Sequence, residues 1–445
     1  MDDAVTAPYG ADGYPRPWRA WTVVLILTAT AILSYTDRQV LSLLVDPLRG
    51  DLHISDTQVS LLLGTAFALV YGVAGVPLGW LADRISRRNL IAGGVLVWSL
   101  GTVSSGLSHG FGQIAVSRVL VGLGEAALSP AAIALISDCF PPQRRGAAVG
   151  LFLSGIAVGV GVSILIGGAV MRAVEWGLLA ATPLHVLATW RLVLLLTGAP
   201  GLIWVFVILM IREPRRRTNF VEGGQTPEIL APSGLPQWRR AAPVYVVLAL
   251  ASLVDNAVGA WAPSLLIRSF AMNAARVGLE LGLFLAIGYG GGVLAGGILA
   301  DRVGLRGGWP AKLGVCLAAS LAILPLSLFI NASSAAWVFV GVPVYFTLSG
   351  VVTSAGFSAL LDVTPPQSRA LAMSVSFFLN VAIGAGAGPT LVALAADHIF
   401  PAKGLGPAIT LTVAAGYCLT ALAAATPLLR ARQNPRDKIP HAHGR

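Results

Sequence analysis

Five ionisable residues stand inside long apolar runs of this chain: Asp37, Arg38, Arg118, Glu125 and Asp255. A charge in hydrocarbon is expensive, and such residues usually mark the path of an ion or a substrate. Arg118 and Glu125 are seven positions apart. On a helix that is two turns, so they share a face about 10 Å apart along the axis. A carboxyl near mid-membrane is placed to take up and release a proton. A buried guanidinium suits a phosphate or a carboxylate. The chemistry these types suggest is the proton-linked movement of an anion, with no bond made or broken. The chain is expected not to be an enzyme and to hold neither cofactor nor metal. His53, His109, His185, His398, His441 and His443 show no metal spacing or carboxylate pairing, and Cys139, Cys316 and Cys418 give neither a metal site nor a disulfide framework. The glycines at Gly155, Gly159, Gly161, Gly384, Gly386 and Gly388 follow no strand, so they read as close helix packing and not as a nucleotide loop.

These residues need apolar helices to carry them, and the composition supplies them. Of 445 residues, 56% are hydrophobic and 11% charged, against roughly 25% charged in an ordinary soluble domain. The mean hydropathy is +0.77. An all-α membrane protein is predicted, with twelve transmembrane helices in two pseudo-symmetric six-helix halves. The runs lie at 19–45, 57–80, 89–108, 112–137, 146–171 and 190–211, then 242–267, 277–300, 310–331, 335–361, 369–396 and 406–429. The organisation read from them is a tail at 1–18, a first half at 19–211, a polar linker at 212–240, a second half at 241–430 and a tail at 431–445. The net charge of +10 reflects Lys and Arg gathered on one side. Only Arg49, Arg172, Arg191, Arg268, Arg276 and Lys403 fall on the other, so both termini and the linker are expected in the cytoplasm. The basic balance therefore implies no nucleic acid.

Helical rise sets the depth of the charges. Asp37 lies about 7 Å outward of the middle of the first helix, and Arg118 about 10 Å outward of the middle of the fourth. An Asp37–Arg118 ion pair is expected if those helices adjoin, with Glu125 deeper on the same face.

Two polar loops recur nearly half a chain apart. Gly79-Trp-Leu-Ala-Asp83-Arg84-Ile-Ser-Arg87-Arg88 follows the second helix, and Gly297-Ile-Leu-Ala-Asp301-Arg302-Val-Gly-Leu-Arg306 follows the eighth. Asp138-Cys-Phe-Pro-Pro-Gln143-Arg144-Arg145 after the fourth helix is matched by Asp362-Val-Thr-Pro-Pro-Gln367-Ser-Arg369 after the tenth. Repeated halves are how many transporters alternate access. Acids beside several cations at helix ends read as latches that break when the halves rock. The gating set is Gly79, Asp83, Arg84, Arg87, Arg88, Asp138, Arg145, Asp301 and Arg302, with Gly79 expected to admit a close helix neighbour.

The G-x-x-x-D-R-x-x-R-R loop resembles the signature loop of the major facilitator superfamily, with Ser86 where the common form has Gly. Ser34-Tyr35-Thr36-Asp37-Arg38, Ser117-Arg118-Val-Leu-Val-Gly122-Leu-Gly124-Glu125 and Trp261-Ala-Pro263 are similar to motifs of its spinster branch. The resemblance implies a secondary transporter working by alternating access in a bacterial inner membrane. It implies a lysophospholipid or sphingosine-phosphate-like substrate and proton coupling through Asp37 and Glu125, with Arg118 as their partner. Two features depart from animal members: the polar pair Asp255-Asn256, and a Gly384-Ala-Gly386-Ala-Gly388-Pro389 stretch without an acid. Arg38, Tyr35, Asp255, Asn256, Trp261 and Tyr345 are the expected substrate contacts. The partners expected are a small-molecule or lipid substrate, protons and the bilayer, around a monomer. A small organic anion such as a sugar acid is the alternative substrate, and a non-transporting sensor or channel the alternative class.

Overall fold

A computed structural model describes residues 14–82, 84–178, 182, 186–214, 235–330, 334–364, 369–401 and 404–433. Asp83, the side chain of Arg145 and most of the linker lie outside the described residues. Twelve helices are long and apolar enough to cross a membrane. They are α1 (Pro17–Leu52), α2 (Asp56–Gly75), α3 (Arg87–Leu107), α4 (Phe111–Cys139), α5 (Ala148–Glu175), α6 (Thr189–Leu209), α7 (Arg240–Phe270), α8 (Ala274–Leu305), α9 (Gly307–Phe329), α10 (Ala335–Val363), α11 (Val375–Ile399) and α12 (Leu405–Leu429). Every apolar run read from the sequence has its helix.

The chain forms two compact units, Met1–Pro227 with Met272–Ala286, and Glu228–Ala271 with Ile287–Arg445. In the first unit α1 packs along α5, and α3 lies against both α4 and α6. In the second, α7 packs against α10, α11 and α12. Without water to drive association, such contacts depend on small residues that let backbones approach. A Cβ added at Gly124 on α4 would stand 2.5 Å from the Gly94 carbonyl oxygen of α3. At Gly388 on α11 it would stand 2.4 Å from the Leu253 carbonyl oxygen of α7. Gly79 differs from the expectation. Its Cβ would meet only Pro130 Cβ at 3.9 Å, an ordinary contact, so no close approach depends on it.

Two helices are interrupted where the charges sit. In α1 the α-helical stretch ends at Gln39 and a 3₁₀ turn, Val40–Leu44, leads into the last segment, Val45–Leu52. Pro47 falls in the first turn of that segment, where its missing N–H costs nothing. In α4 the helix stops at Glu125 and resumes at Leu128. Pro130 explains the break, because its ring clashes with the carbonyl four residues earlier, that of Ala126.

Candidate functional site: a charge cluster and a hydroxyl cage

In the first unit α1 and α4 bring Asp37, Arg38, Arg118 and Glu125 together in the interior. Their relative exposures are 0%, 7%, 1% and 3%. The expected Asp37–Arg118 ion pair is not formed. Arg118 reaches α1 at the predicted depth, but Nη1 donates to the Asp37 carbonyl at 3.3 Å and Nη2 to the Arg38 carbonyl at 3.4 Å. The physical reason is the change from α to 3₁₀ pairing at this point, which leaves carbonyls short of their usual partners. Ser163 of α5 donates to the neighbouring Thr36 carbonyl at 3.1 Å, so the transition is fastened from two helices.

The carboxylates are left to longer-range forces. Asp37 lies against Trp98 and Thr102 of α3. Among the described residues, both Asp37 oxygens and Trp98 Nε1 are buried without a hydrogen-bond partner. Glu125 stands at the break in α4, with Ser34 of α1 beside it and Arg38 and Arg118 within electrostatic reach. Its Oε1 is also buried and unpartnered. Arg38 lies over the Phe67 ring at 4.1 Å, with Tyr35 at 5.4 Å and Tyr71 at 5.9 Å. A guanidinium held on ring faces keeps its N–H edge for an anion. Two acids and two bases thus share one interior. A proton taken up there leaves one net positive charge, which a bound anion would cancel.

The second unit holds Asp255 differently. Tyr345 donates to Asp255 Oδ1 at 2.7 Å, and the Ser349 hydroxyl lies 2.6 Å from Oδ1 and 2.7 Å from Oδ2. Tyr345 and Ser349 are four residues apart on α10 and share a face. Tyr417 of α12 packs edge-on against Tyr345 at 5.9 Å, closing a hydroxyl cage. Of the expected substrate contacts, Trp261 is turned inward instead. Trp261 is fully buried and its indole donates to the Pro389 carbonyl at 2.8 Å. Asn256 donates to the Ser252 carbonyl of its own helix at 2.9 Å. The sequence named Asp255 and Tyr345, but not the residues that complete the cage, Ser349 and Tyr417.

The loop residues form two ion-pair networks, one within each unit. Arg87 pairs with Asp138 at the end of α4 and donates to the Ala134 carbonyl. Glu213 completes this network, accepting from the Arg87 N–H at 2.8 Å and from the Ser86 hydroxyl. Ser86 is the N-cap of α3, accepting from the Asn89 N–H at 3.2 Å. The departure from glycine in the signature loop therefore has two bonds of its own. Arg88 donates to the Leu209 carbonyl at the end of α6, and Arg84 stacks on Trp80 at 3.5 Å. In the second unit Lys312 pairs with Asp362 at 2.7 Å and donates to Ser358 at 2.8 Å. Asp301 and Arg302, expected to latch, are exposed and form no ion pair among the described residues. The cation that meets Asp362 comes from the start of α9.

Residues 27–389 match the family described as Major Facilitator Superfamily. An MFS-type efflux pump of Mycolicibacterium smegmatis is 28% identical over 414 residues, 90% of each chain. A probable L-galactonate transporter of Escherichia coli is 36% identical over 155 residues, 35% of this chain and 34% of that one. Among solved structures, a bacterial homolog to the human lysosomal transporter Spinster, inward-facing and unoccupied, superposes with a TM-score of 0.76. It is 23% identical and the match covers 96% of this chain and 100% of that one, so the two share a fold. The family match spans most of the chain and the twelve helices that carry it span a membrane: this protein belongs to the major facilitator superfamily of multi-pass membrane transporters.

Proposed function

We propose that the protein is a proton-coupled secondary transporter of an amphipathic anionic lipid, such as a lysophospholipid, in a bacterial inner membrane. Its termini face the cytoplasm, and it works as a monomer by alternating access. The observation that carries the reading is Arg38. Its guanidinium is held on the faces of Phe67, Tyr35 and Tyr71 and forms no ion pair among the described residues. Rings around a cation suit a ligand that brings both a charge and apolar surface. Asp37 and Glu125 carry the exchangeable proton, and Arg118 fixes the backbone between them. A second reading, a small sugar acid, is favoured by the likeness to the galactonate transporter over a third of the chain.

Thermal stabilisation of the purified protein separates the readings. A ligand at a hundredfold excess over its Kd stabilises by about 2.7 kcal/mol. Lysophosphatidylglycerol is expected to raise the melting temperature, galacturonate to leave it unchanged, and Arg38→Ala to abolish the response. A response to galacturonate alone selects the sugar acid. No response to either, with the protein folded, sinks both.

A further inference from the structure

The charge cluster of the first unit accounts for the proposed coupling without Asp255. In the cage around Asp255 one short oxygen–oxygen contact has no hydrogen in it if the carboxylate is ionised. Ser349 Oγ lies within hydrogen-bond distance of both Asp255 oxygens, at 2.6 and 2.7 Å. A serine hydroxyl has one proton and two lone pairs. It can donate fully to one oxygen only, which leaves the other facing it across 2.7 Å or less with no hydrogen between. If Asp255 carries a proton, both contacts hold a hydrogen. Oδ2–H donates to Ser349 Oγ, Ser349 Oγ–H donates to Oδ1, and Oδ1 also accepts from Tyr345 at 2.7 Å. Each hydrogen then has one acceptor, and Oδ1 uses both its lone pairs.

We propose that Asp255 and Ser349 form a second proton-binding site, in the second unit and separate from the Asp37–Glu125 cluster. The groups that face it fit a neutral acid. Tyr345 of α10 and Tyr417 of α12 are the titratable neighbours, with Tyr289 of α8 beyond Tyr417. On α7 itself Ser252 and Asn256 bond to backbone carbonyls, Ser252 to that of Asn380 on α11. Among the described residues no Lys, Arg or His forms an ion pair with Asp255. A carboxylate with no cation at hand is neutralised most simply by a proton. Tyr345, Ser349 and Tyr417 are fully buried, while Asp255 is partly exposed.

The inference stands on the second unit alone and is tested without a transported substrate. Infrared difference spectra of the purified full-length protein, taken between alkaline and acidic pH, report the C=O stretch of protonated carboxyls. The wild type is expected to show a band that is lost in Asp255→Asn, displaced in Ser349→Ala, and retained in Glu125→Gln. Proton uptake over the same pH step should fall by one per molecule in Asp255→Asn. A spectrum unchanged by both Asp255→Asn and Ser349→Ala overturns the site, and so does a band lost in Glu125→Gln alone. If Asp255→Asn does not fold, Ser349→Ala decides: an undisplaced band counts against the proposal. Stabilisation of the wild type by Na⁺ over K⁺ at equal ionic strength, absent in Asp255→Asn, would replace the proton with a metal cation and overturn it as well. Retention of the band in Glu125→Gln while coupled transport is lost would leave both proposals standing on separate groups.

Discussion

The two units bury carboxylates by opposite means. Asp37 and Glu125 sit among guanidinium groups, and among the described residues both Asp37 oxygens and Glu125 Oε1 have no hydrogen-bond partner. Asp255 sits among hydroxyls at hydrogen-bond distance with no ion pair among the described residues. Charges act over several ångströms and tolerate movement, whereas hydroxyls act only in contact. As proposed, the first arrangement would answer to a change of net charge, as when an anion binds, and the second to a single proton. The loop ion pairs differ in a parallel way. Arg87 and Asp138 are both nearly buried, with side-chain exposures of 12% and 9%. Lys312 is as buried at 8%, but its partner Asp362 is 41% exposed and can return to water.

The largest expected effect tests the division of labour directly. Glu125→Gln keeps shape and hydrogen bonding but exchanges no proton, so gradient-driven transport into liposomes should be abolished with the melting temperature unchanged. Transport that still follows the gradient would move coupling to another acid. Next comes Arg118→Ala, which strips two carbonyls of their donor and two carboxylates of a cation. Leaving such groups uncompensated costs about 3–5 kcal/mol. Arg118→Lys keeps the charge but lacks the fork that reaches both carbonyls, and should recover part of the loss. Denaturation in detergent measures both, and equal stability of the Lys variant and wild type would mean that charge alone matters. The loop ion pairs follow. Arg87→Ala leaves Asp138 buried without a cation and should cost about 3 kcal/mol. Lys312→Ala leaves Asp362 free to hydrate and should cost about 1 kcal/mol. Equal costs would remove the distinction between the two. The smallest effect is expected at Tyr417. Its hydroxyl is buried with no hydrogen-bond partner among the described residues, so Tyr417→Phe should change stability by less than about 0.5 kcal/mol. A larger loss would show a bond the cage depends on.

How far the sequence could be read depended on the range of the force involved. Hydrophobic runs act over whole helices, and all twelve were legible from apolar length. Depth follows from helical rise, so Arg118 was correctly brought to Asp37. Which atom it meets was not legible. That choice depends on the 3₁₀ turn at Val40–Leu44, and no residue in that apolar stretch announces it. Glu213 was missed because it sits at the edge of a polar linker, where an acid looks merely solvated. The signal that could have found it was Ser86, a residue able to cap a helix and to donate as well. The repeat located Asp138 and Asp362 but named no cation for the second, and Lys312 supplies it from the next helix. Ser349 and Tyr417 carry no sequence mark, since hydroxyls in membrane helices most often bond their own backbone.

The grip of Arg118 on carbonyls has a mechanical consequence. A joint made between two side-chain charges comes apart whenever the acid is neutralised. Peptide oxygens do not titrate in any biological range, so the fastening of α4 to α1 is indifferent to proton traffic beside it. If Asp37 and Glu125 exchange protons as proposed, this joint keeps its register. The spacing between α1 and α4 near Arg118, measured with paired spin labels, is accordingly expected to stay constant across the pH range in which Glu125 exchanges its proton.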